Sequence, residues 1–313
     1  MSSPYHEGEL WVQARAGVRD IAEHMGSMVH TTIPPALREF LPHQPMVFAG
    51  TAAPSGHIWA SVLMGEPGFL SAGESTLRIE GRRRAGDPLW ENLRAGLPIG
   101  LLVADLATRR RARLNGAVTS ILEDGFVIGL EQIYPNCSKY IQARQWSFDH
   151  EKWDAPDEAA RTETTTTEPK ITRGKILTAR QQQMVRTADT FFIASAHPQH
   201  GADASHRGGR PGFVKVHDET HLRWPDYKGN SMFQTLGNIA VNPSAGLLFM
   251  DWEKDATLQL SGSATVLWNS EQTSQSTQAE RIIEFELNEV IEISGGLPLR
   301  WKFLSHYPFN PPA

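Results

Sequence analysis

The sequence predicts a mainly β protein with flanking helices, an α+β chain made of two tandem copies of one domain. Three observations carry this. Short apolar, β-rich runs are separated by Gly, Asn and Asp at the spacing of an antiparallel sheet or barrel; the order helix, strand, polar loop occurs twice; and three segments of the first half match three of the second in the same order. With 313 residues the chain has room for two compact domains, because single cores stop growing near roughly 250–300 residues.

The elements follow in order. Leu10, Ala14, Val18, Ile21, Met25 and Val29 recur at steps of three or four, which predicts one amphipathic helix across this stretch. "PPALREFL" reads as a short second helix started by Pro34 and Pro35, and "PMVFAGTA" as a strand. "IGLLVADL", "ARLNGAVTSIL" and "GFVIGLEQI" continue the β-rich part. From His150 to Pro169 the chain is polar and threonine-rich, with almost no core-forming residue, as expected of a linker or a solvated excursion. The expected domains are therefore 1–149 and 171–313, joined by 150–170. Thr178 and Gln181 have the spacing of a capping box and start a helix over "LTARQQQMVRTAD", before the strand "TFFIASA".

Laying "PMVFAG" over "TFFIAS" places Phe48 on Ile193 and Ala49 on Ala194, an offset of 145. "ASVLMGEPGF" falls on "ASHRGGRPGF" at an offset of 144, and "GLLVADLATRRRARLNG" on "GLLFMDWEKDATLQLSG" at 146. The offset drifts only in loops. A solenoid is excluded, since its units are roughly 20–50 residues long.

A net charge of −5 supplies no general attraction for nucleic acid or an anionic membrane, so neither is an expected partner and any anion has to be held by a local cluster. Cys137 is the single cysteine, which rules out an intrachain disulfide and leaves no Cys/His set for structural zinc. No apolar run approaches the roughly 20 residues of a membrane span, and the start lacks the pattern of a secretory signal. The expected location is the reducing cytoplasm.

The copies differ in charge. In "ADASHRGGRPGF" the Gly-Pro-Gly-Phe turn is shared, but His206, Arg207 and Arg210 replace Val62, Leu63 and Glu66 of the first copy. Farther on, Lys228, Gly229, Asn230 and Ser231 precede the apolar-periodic Met232, Phe233, Leu236 and Ile239. A helix starting there would offer free N–H groups, a cap hydroxyl and a lysine to a phosphate. The first copy has Asp87 near the equivalent place, so the anion site is expected in the second copy and a degenerate one in the first. Plainer readings are that Asn230 and Ser231 are ordinary caps and Arg207 and Arg210 solvated strand-end charges. His197, His200 and His206 have no organised acidic or cysteine partners in sequence, so no metal is expected. Ser205 lacks the elbow motif of a serine hydrolase.

"ADASHRGGRPGF", "PDYKGNSMFQTLGNIAVNPSAGLLFMDW" and "QIYPNCSKYIQAR" resemble the pyridoxamine 5'-phosphate oxidase-like flavin-nucleotide-binding proteins of the FMN-binding split-barrel fold. The resemblance implies two tandem split β-barrels with FMN in the cleft between them. It places Ser205, His206 and Arg207 along the flavin, its ribityl chain or its phosphate, and Lys228, Asn230 and Ser231 at the phosphate with Arg210 nearby. It brings Lys139, Tyr140 and Arg144 to the same cleft from the other barrel. The activity implied is that of an FMN-dependent oxidoreductase acting on a small molecule, with a separate electron donor or acceptor and His206 as the candidate acid or base. A flavin, haem or deazaflavin carrier without catalysis is the alternative. On this resemblance the tandem duplication can supply both barrels from one chain or pair further as a homodimer, so the cleft is expected either within one chain or between two.

Overall fold

The computed structural model describes residues 3–150, 169–268 and 279–311, so most of the expected linker lies outside the described residues. The first copy supplies β1 (Met46–Ala52), β2 (Ile58–Met64), β3 (Leu70–Ala72), β4 (Thr76–Glu80), β5 (Pro98–Asp105), β6 (Arg110–Ile121) and β7 (Gly125–Asn136). They form an antiparallel sheet in the order β2-β1-β5-β6-β7-β4-β3. Next come β8 (Ala143–Phe148) and β9 (Lys170–Gly174), and then the second copy: β10 (Thr190–His197), β11 (Gly201–Gly208), β12 (Lys215–Val216), β13 (His221–Tyr227), β14 (Ser244–Asp251), β15 (Ala256–Leu267) and β16 (Ala279–Ser294). Its order, β11-β10-β14-β15-β16-β13-β12, repeats the first strand for strand, with β9 added on β16. The last strand, β17 (Leu299–Ser305), pairs with β8 and ties the end of the second copy to the end of the first. The fold is two tandem split barrels.

Strand register corrects one detail of the repeat. Ser61 lies opposite Ala49, and its counterpart Ser205 lies opposite Ile193. Ala49 therefore corresponds to Ile193 and Phe48 to Phe192, an offset of 144 rather than 145. A slip of one residue exchanges the two faces of a strand, and here the faces have different destinations. Val47 and Ala49 enter the core of the first barrel, and Phe191 and Ile193 that of the second. The intervening Phe48 and Phe192 belong to a third apolar cluster between the barrels, where they stack with ring centroids 3.4 Å apart. Corresponding residues meeting each other is what a local two-fold relation requires. The same relation appears in the glycines of β5 and β14. A Cβ on Gly100 would lie 2.4 Å from the carbonyl oxygen of Ala202, and one on Gly246 2.5 Å from that of Ile58. Only glycine lets the barrels approach this closely.

The N-terminal stretch departs from the single helix expected. It forms two helices, Glu7–Arg15 and Arg19–Gly26, broken where Gly17 takes φ = +67°. The chain turns there, so the periodic residues do not share one buried face: Leu10, Met25 and Val29 pack against the cluster around Tyr5 and Ala22, whereas Ala14 is exposed and Ile21 is 51% exposed. The Thr178–Gln181 capping box forms and starts the helix Ala179–Thr187. Among the described residues no helix is long and apolar enough to cross a membrane.

Candidate functional site

A cleft between the barrels is lined by β6 and the segment after β7 from the first copy. From the second come β11, the end of β13, the segment 229–233 and the start of the helix Gln234–Val241. Period-two alternation builds its walls. On β11 it turns Asp203, Ser205 and Arg207 to one side; on β6 it turns Arg111, Arg113 and Asn115 to meet them. Arg113 donates to Asp203 at 2.8 Å, to the Tyr134 hydroxyl at 3.1 Å and to Gln234 Oε1 at 3.3 Å, and also to the Ser205 hydroxyl. Asn115 donates to the other Asp203 oxygen at 3.2 Å, and the Ser205 and Thr235 hydroxyls are 2.7 Å apart. These contacts join strands from both barrels to the start of one helix.

The three cleft arginines are not equivalent. Burial opposes the Arg113 cation, but Asp203 and then Tyr134 overcome this and raise its pKa. Burial, with Arg113 and then Arg207 nearby, pushes Arg111 down to about 9 although Cys137 partly offsets it. Among the described residues its guanidinium reaches only main-chain carbonyls, those of Cys137 at 2.6 Å and Lys139 at 3.4 Å. Burial lowers Arg207 too, only partly offset by Asp226 and Asp203, and its one described hydrogen bond is to the His206 carbonyl at 3.1 Å. His206 is buried edge-on to Phe192. Burial first, then Arg111, Arg207 and Arg144, hold its pKa well below the ordinary imidazole range, so the ring is neutral at pH 7. Arg113 Nε, Arg207 Nε, His206 Nε2 and Asn136 Oδ1 are buried without hydrogen-bond partners, and all four residues line this cleft. Buried polar groups are nearly always satisfied, and these four atoms leave the cleft with free capacity to bond a polar ligand.

The helix at the cleft starts later than the sequence led us to expect. Its first residue is Gln234, and the cap position, Phe233, has left-handed backbone and makes no side-chain cap bond. Asn230 and Ser231 are not the cap. Asn230 accepts from the Met232 amide at 3.2 Å in a local turn, and Ser231 takes φ = +63°. Two left-handed residues, Ser231 and Phe233, on either side of Met232, delay the helix by a few residues, and its first turn, Gln234 to Leu236, lines the cleft.

Ser205, His206, Arg207, Asn230, Ser231, Lys139 and Tyr140 all line the cleft. Lys228 is exposed and reaches it only through its carbonyl, which accepts from the Tyr140 hydroxyl at 3.2 Å. Arg210 is exposed in the turn after β11, outside the lining. Arg144 is buried elsewhere, donating to both oxygens of Asp189 at 2.8 and 2.7 Å and lying 4.5 Å from the centroid of Trp252. Sequence reasoning missed Arg111, Arg113 and Thr235. The signal was present for the arginines: at the offset of 146 they stand opposite Thr257 and Gln259, a charge contrast like that at His206 and Arg207 but in favour of the first copy.

A separate cluster brings His6, Glu7 and His197 together, with the His200 ring 4.6 Å from that of His197. His6 Nδ1 accepts from the Gly8 amide, and His197 Nδ1 accepts from the amides of Gln199 and His200. That leaves Nε2 of both rings protonated and donating, to Asn238 and Glu7 respectively, which is the wrong tautomer for ligating a metal there.

Residues 177–292 match the family model described as pyridoxamine 5'-phosphate oxidase. The matched residues lie wholly within the second copy. No curated protein matches the chain. Solved structures similar to it include one from Lactobacillus delbrueckii, provisionally described as a pyridoxamine 5'-phosphate oxidase, at 15% identity and TM-score 0.31, covering 37% of this chain and 94% of that one. A FAD-binding protein from Mesorhizobium loti is 9% identical with TM-score 0.26, over 39% of this chain and 97% of its own. The FAD binding protein from Mycobacterium smegmatis is 8% identical with TM-score 0.28, over 39% and 99%. In the cleft, the matched residues include β11 and the helix Gln234–Val241, while Arg111 and Arg113 lie outside them.

Proposed function

We propose that the chain binds FMN in the cleft between its barrels and acts as a flavin-dependent oxidoreductase on a small molecule, with a separate electron donor or acceptor. One observation carries the reading: Arg111 and Arg207 are half-buried in the same cleft, pKa values depressed, with no ion-pair partner among the described residues. Uncompensated buried cations are costly, and a phosphate dianion beside the uncapped helix start would relieve both. The donors fit that group. Arg111, Arg207, Ser231 and the Thr235 hydroxyl would hold the phosphate, while His206 Nε2 and Asn136 Oδ1 would gain partners from the rest of the ligand. The Tyr140 and Tyr227 rings, 5.2 Å apart, provide aromatic surface at the same mouth.

Bound flavin would supply the hydride or electron chemistry, and the protein would supply position and charge. A neutral His206 is a hydrogen-bonding group and not a ready proton source at pH 7. That feature also favours a second reading, in which the cleft holds a flavin, haem or deazaflavin without turning over a substrate. The visible spectrum of the purified protein, with the mass of the ligand released on denaturation, tests the cofactor: flavin bands and released FMN support it, and a protein that takes up no FMN contradicts it. Reduction of the bound flavin by a hydride donor, followed by multiple turnovers with an acceptor, separates enzyme from carrier.

A further inference from the structure

The local two-fold relation gives the cleft a counterpart on the other side of the barrel interface, and the counterpart is full. By strand register Ser61 corresponds to Ser205, Gln259 to Arg113 and Thr257 to Arg111. The helix Pro88–Asn92 lies between β4 and β5 as Gln234–Val241 lies between β13 and β14. Ahead of it stands Asp87, 1% exposed, its carboxylate directed into the counterpart cradle. One carboxylate oxygen accepts from the Ser61 hydroxyl at 2.7 Å and from the Leu89 amide at 2.9 Å; the other accepts from Gln259 Nε2 at 3.2 Å. Gln259 also donates to the Ser61 hydroxyl at 3.1 Å and to the Ala60 carbonyl at 3.0 Å. Arg84 adds a cation beside Thr257, the register counterpart of Arg111: its Nη1 donates to the Thr257 hydroxyl at 2.8 Å and its Nη2 to the carbonyls of Ile293 and Gly295 at 3.2 and 3.3 Å.

Serine hydroxyl, backbone amide and long donor side chain thus hold an anion in this cradle, with the Arg84 guanidinium on the neighbouring Thr257, and the anion belongs to the chain. In the open cleft the corresponding serine faces Thr235, and the cap position carries no acid. We propose that Asp87 is a built-in surrogate for a ligand's anionic group: the counterpart cradle is a latent phosphate site kept occupied by the protein, which leaves one phosphate-accepting cleft per chain. The inference rests on the reading above only in placing the ligand's phosphate in the open cleft. The donors around Asp87 stand without it. Evolution of a tandem chain makes such asymmetry accessible, because each copy can change alone, whereas a symmetric dimer changes both sites at once.

Equilibrium dialysis of the full chain against inorganic phosphate, and separately against FMN, counts the sites. The native chain should bind one equivalent of each. Asp87→Ser removes the carboxylate, retains a cap hydroxyl and leaves Ser61, Gln259 and Arg84 in place, so a second equivalent of phosphate is expected. Asp87→Asn fills the same space and should stay at one, and Arg84→Met added to Asp87→Ser should abolish the gain. Two equivalents for the native chain, or no gain with Asp87→Ser, overturns the proposal. No phosphate or FMN on the native chain but one phosphate on Asp87→Ser removes the flavin reading and leaves the latent site standing. If Asp87→Ser fails to fold, its refolding yield in phosphate against chloride at equal ionic strength reads the same cradle: phosphate rescue supports the proposal, and equal yields overturn it.

Discussion

Replacing Arg111 by methionine should separate the two roles that buried guanidinium groups play in the open cleft. Arg113 and Asp203 are 5% and 3% exposed and 2.8 Å apart, so Arg113→Met strands a buried carboxylate and should cost about 3–5 kcal/mol of stability. Arg111 has no such partner, and its pKa is pushed down to about 9. That displacement is worth at most roughly 4–5 kcal/mol at 1.36 kcal/mol per decade in proton affinity, and with the side chain only half-buried about 1–3 kcal/mol is the working figure. Against this relief stand two hydrogen bonds to carbonyls, at about 1 kcal/mol each. The terms nearly cancel, and Arg111→Met should leave the unliganded protein within about 1 kcal/mol of the native chain. FMN binding should respond oppositely: a charge-assisted contact to phosphate is worth about 1.5–3 kcal/mol, or roughly 10- to 150-fold in Kd. Urea unfolding followed by tryptophan fluorescence gives the first quantity, and quenching of flavin fluorescence gives the second. A stability loss as large as that of Arg113→Met, or unchanged FMN affinity, would refute the assignment of Arg111 as an anion-seeking cation.

Other expectations follow from the same geometry. Arg207→Ala should weaken FMN binding by at least about tenfold, whereas Arg210→Ala, outside the lining, should change it less than about twofold; equal losses in a titration would remove the distinction. His206 has its folded pKa depressed by burial and by Arg111, Arg207 and Arg144, so the unfolded chain binds the extra proton first. Its contribution is fully present above the unfolded value near 6.5 and is lost as pH falls below it, at up to about 1.4 kcal/mol per pH unit. His206→Phe should flatten that acid limb in urea midpoints measured against pH. Gly100→Ala drives a Cβ into the Ala202 carbonyl across the barrel interface and should cost about 1–3 kcal/mol or more, read as a lowered thermal midpoint.

Much of the architecture was legible because both copies obey the same packing rules. Shared glycines, the Gly-Pro-Gly-Phe turn and the apolar runs exposed the duplication, and the charge contrast at His206 and Arg207 falls on residues that line the cleft between the barrels. What escaped depends on three-dimensional pairing. Comparing "PMVFAG" with "TFFIAS" without strand partners allowed a slip of one residue, since both neighbours are apolar; only the stacking of Phe48 on Phe192 and the register at Ser61 and Ser205 fix it. The late start of the helix at Gln234 follows from left-handed backbone at Ser231 and Phe233, a conformation that side-chain propensity does not announce. Arg144 carried the same charge as Arg111, but Asp189, distant in sequence, claims it. Asp87 was visible as an acid opposing an anion. Its position inside the cradle, where it replaces one, needed the fold.

The most direct test of the central claim is the crystal structure of the protein with FMN, read at the phosphate. The expected density lies between the barrels, within hydrogen-bonding distance of Arg111, Arg207 and the first turn of Gln234–Val241, with the Asp87 cradle still closed by its own carboxylate. Phosphate density in the cavity beside Arg144 and Trp252, or at the Asp87 cradle with the central cleft left to solvent, would contradict it.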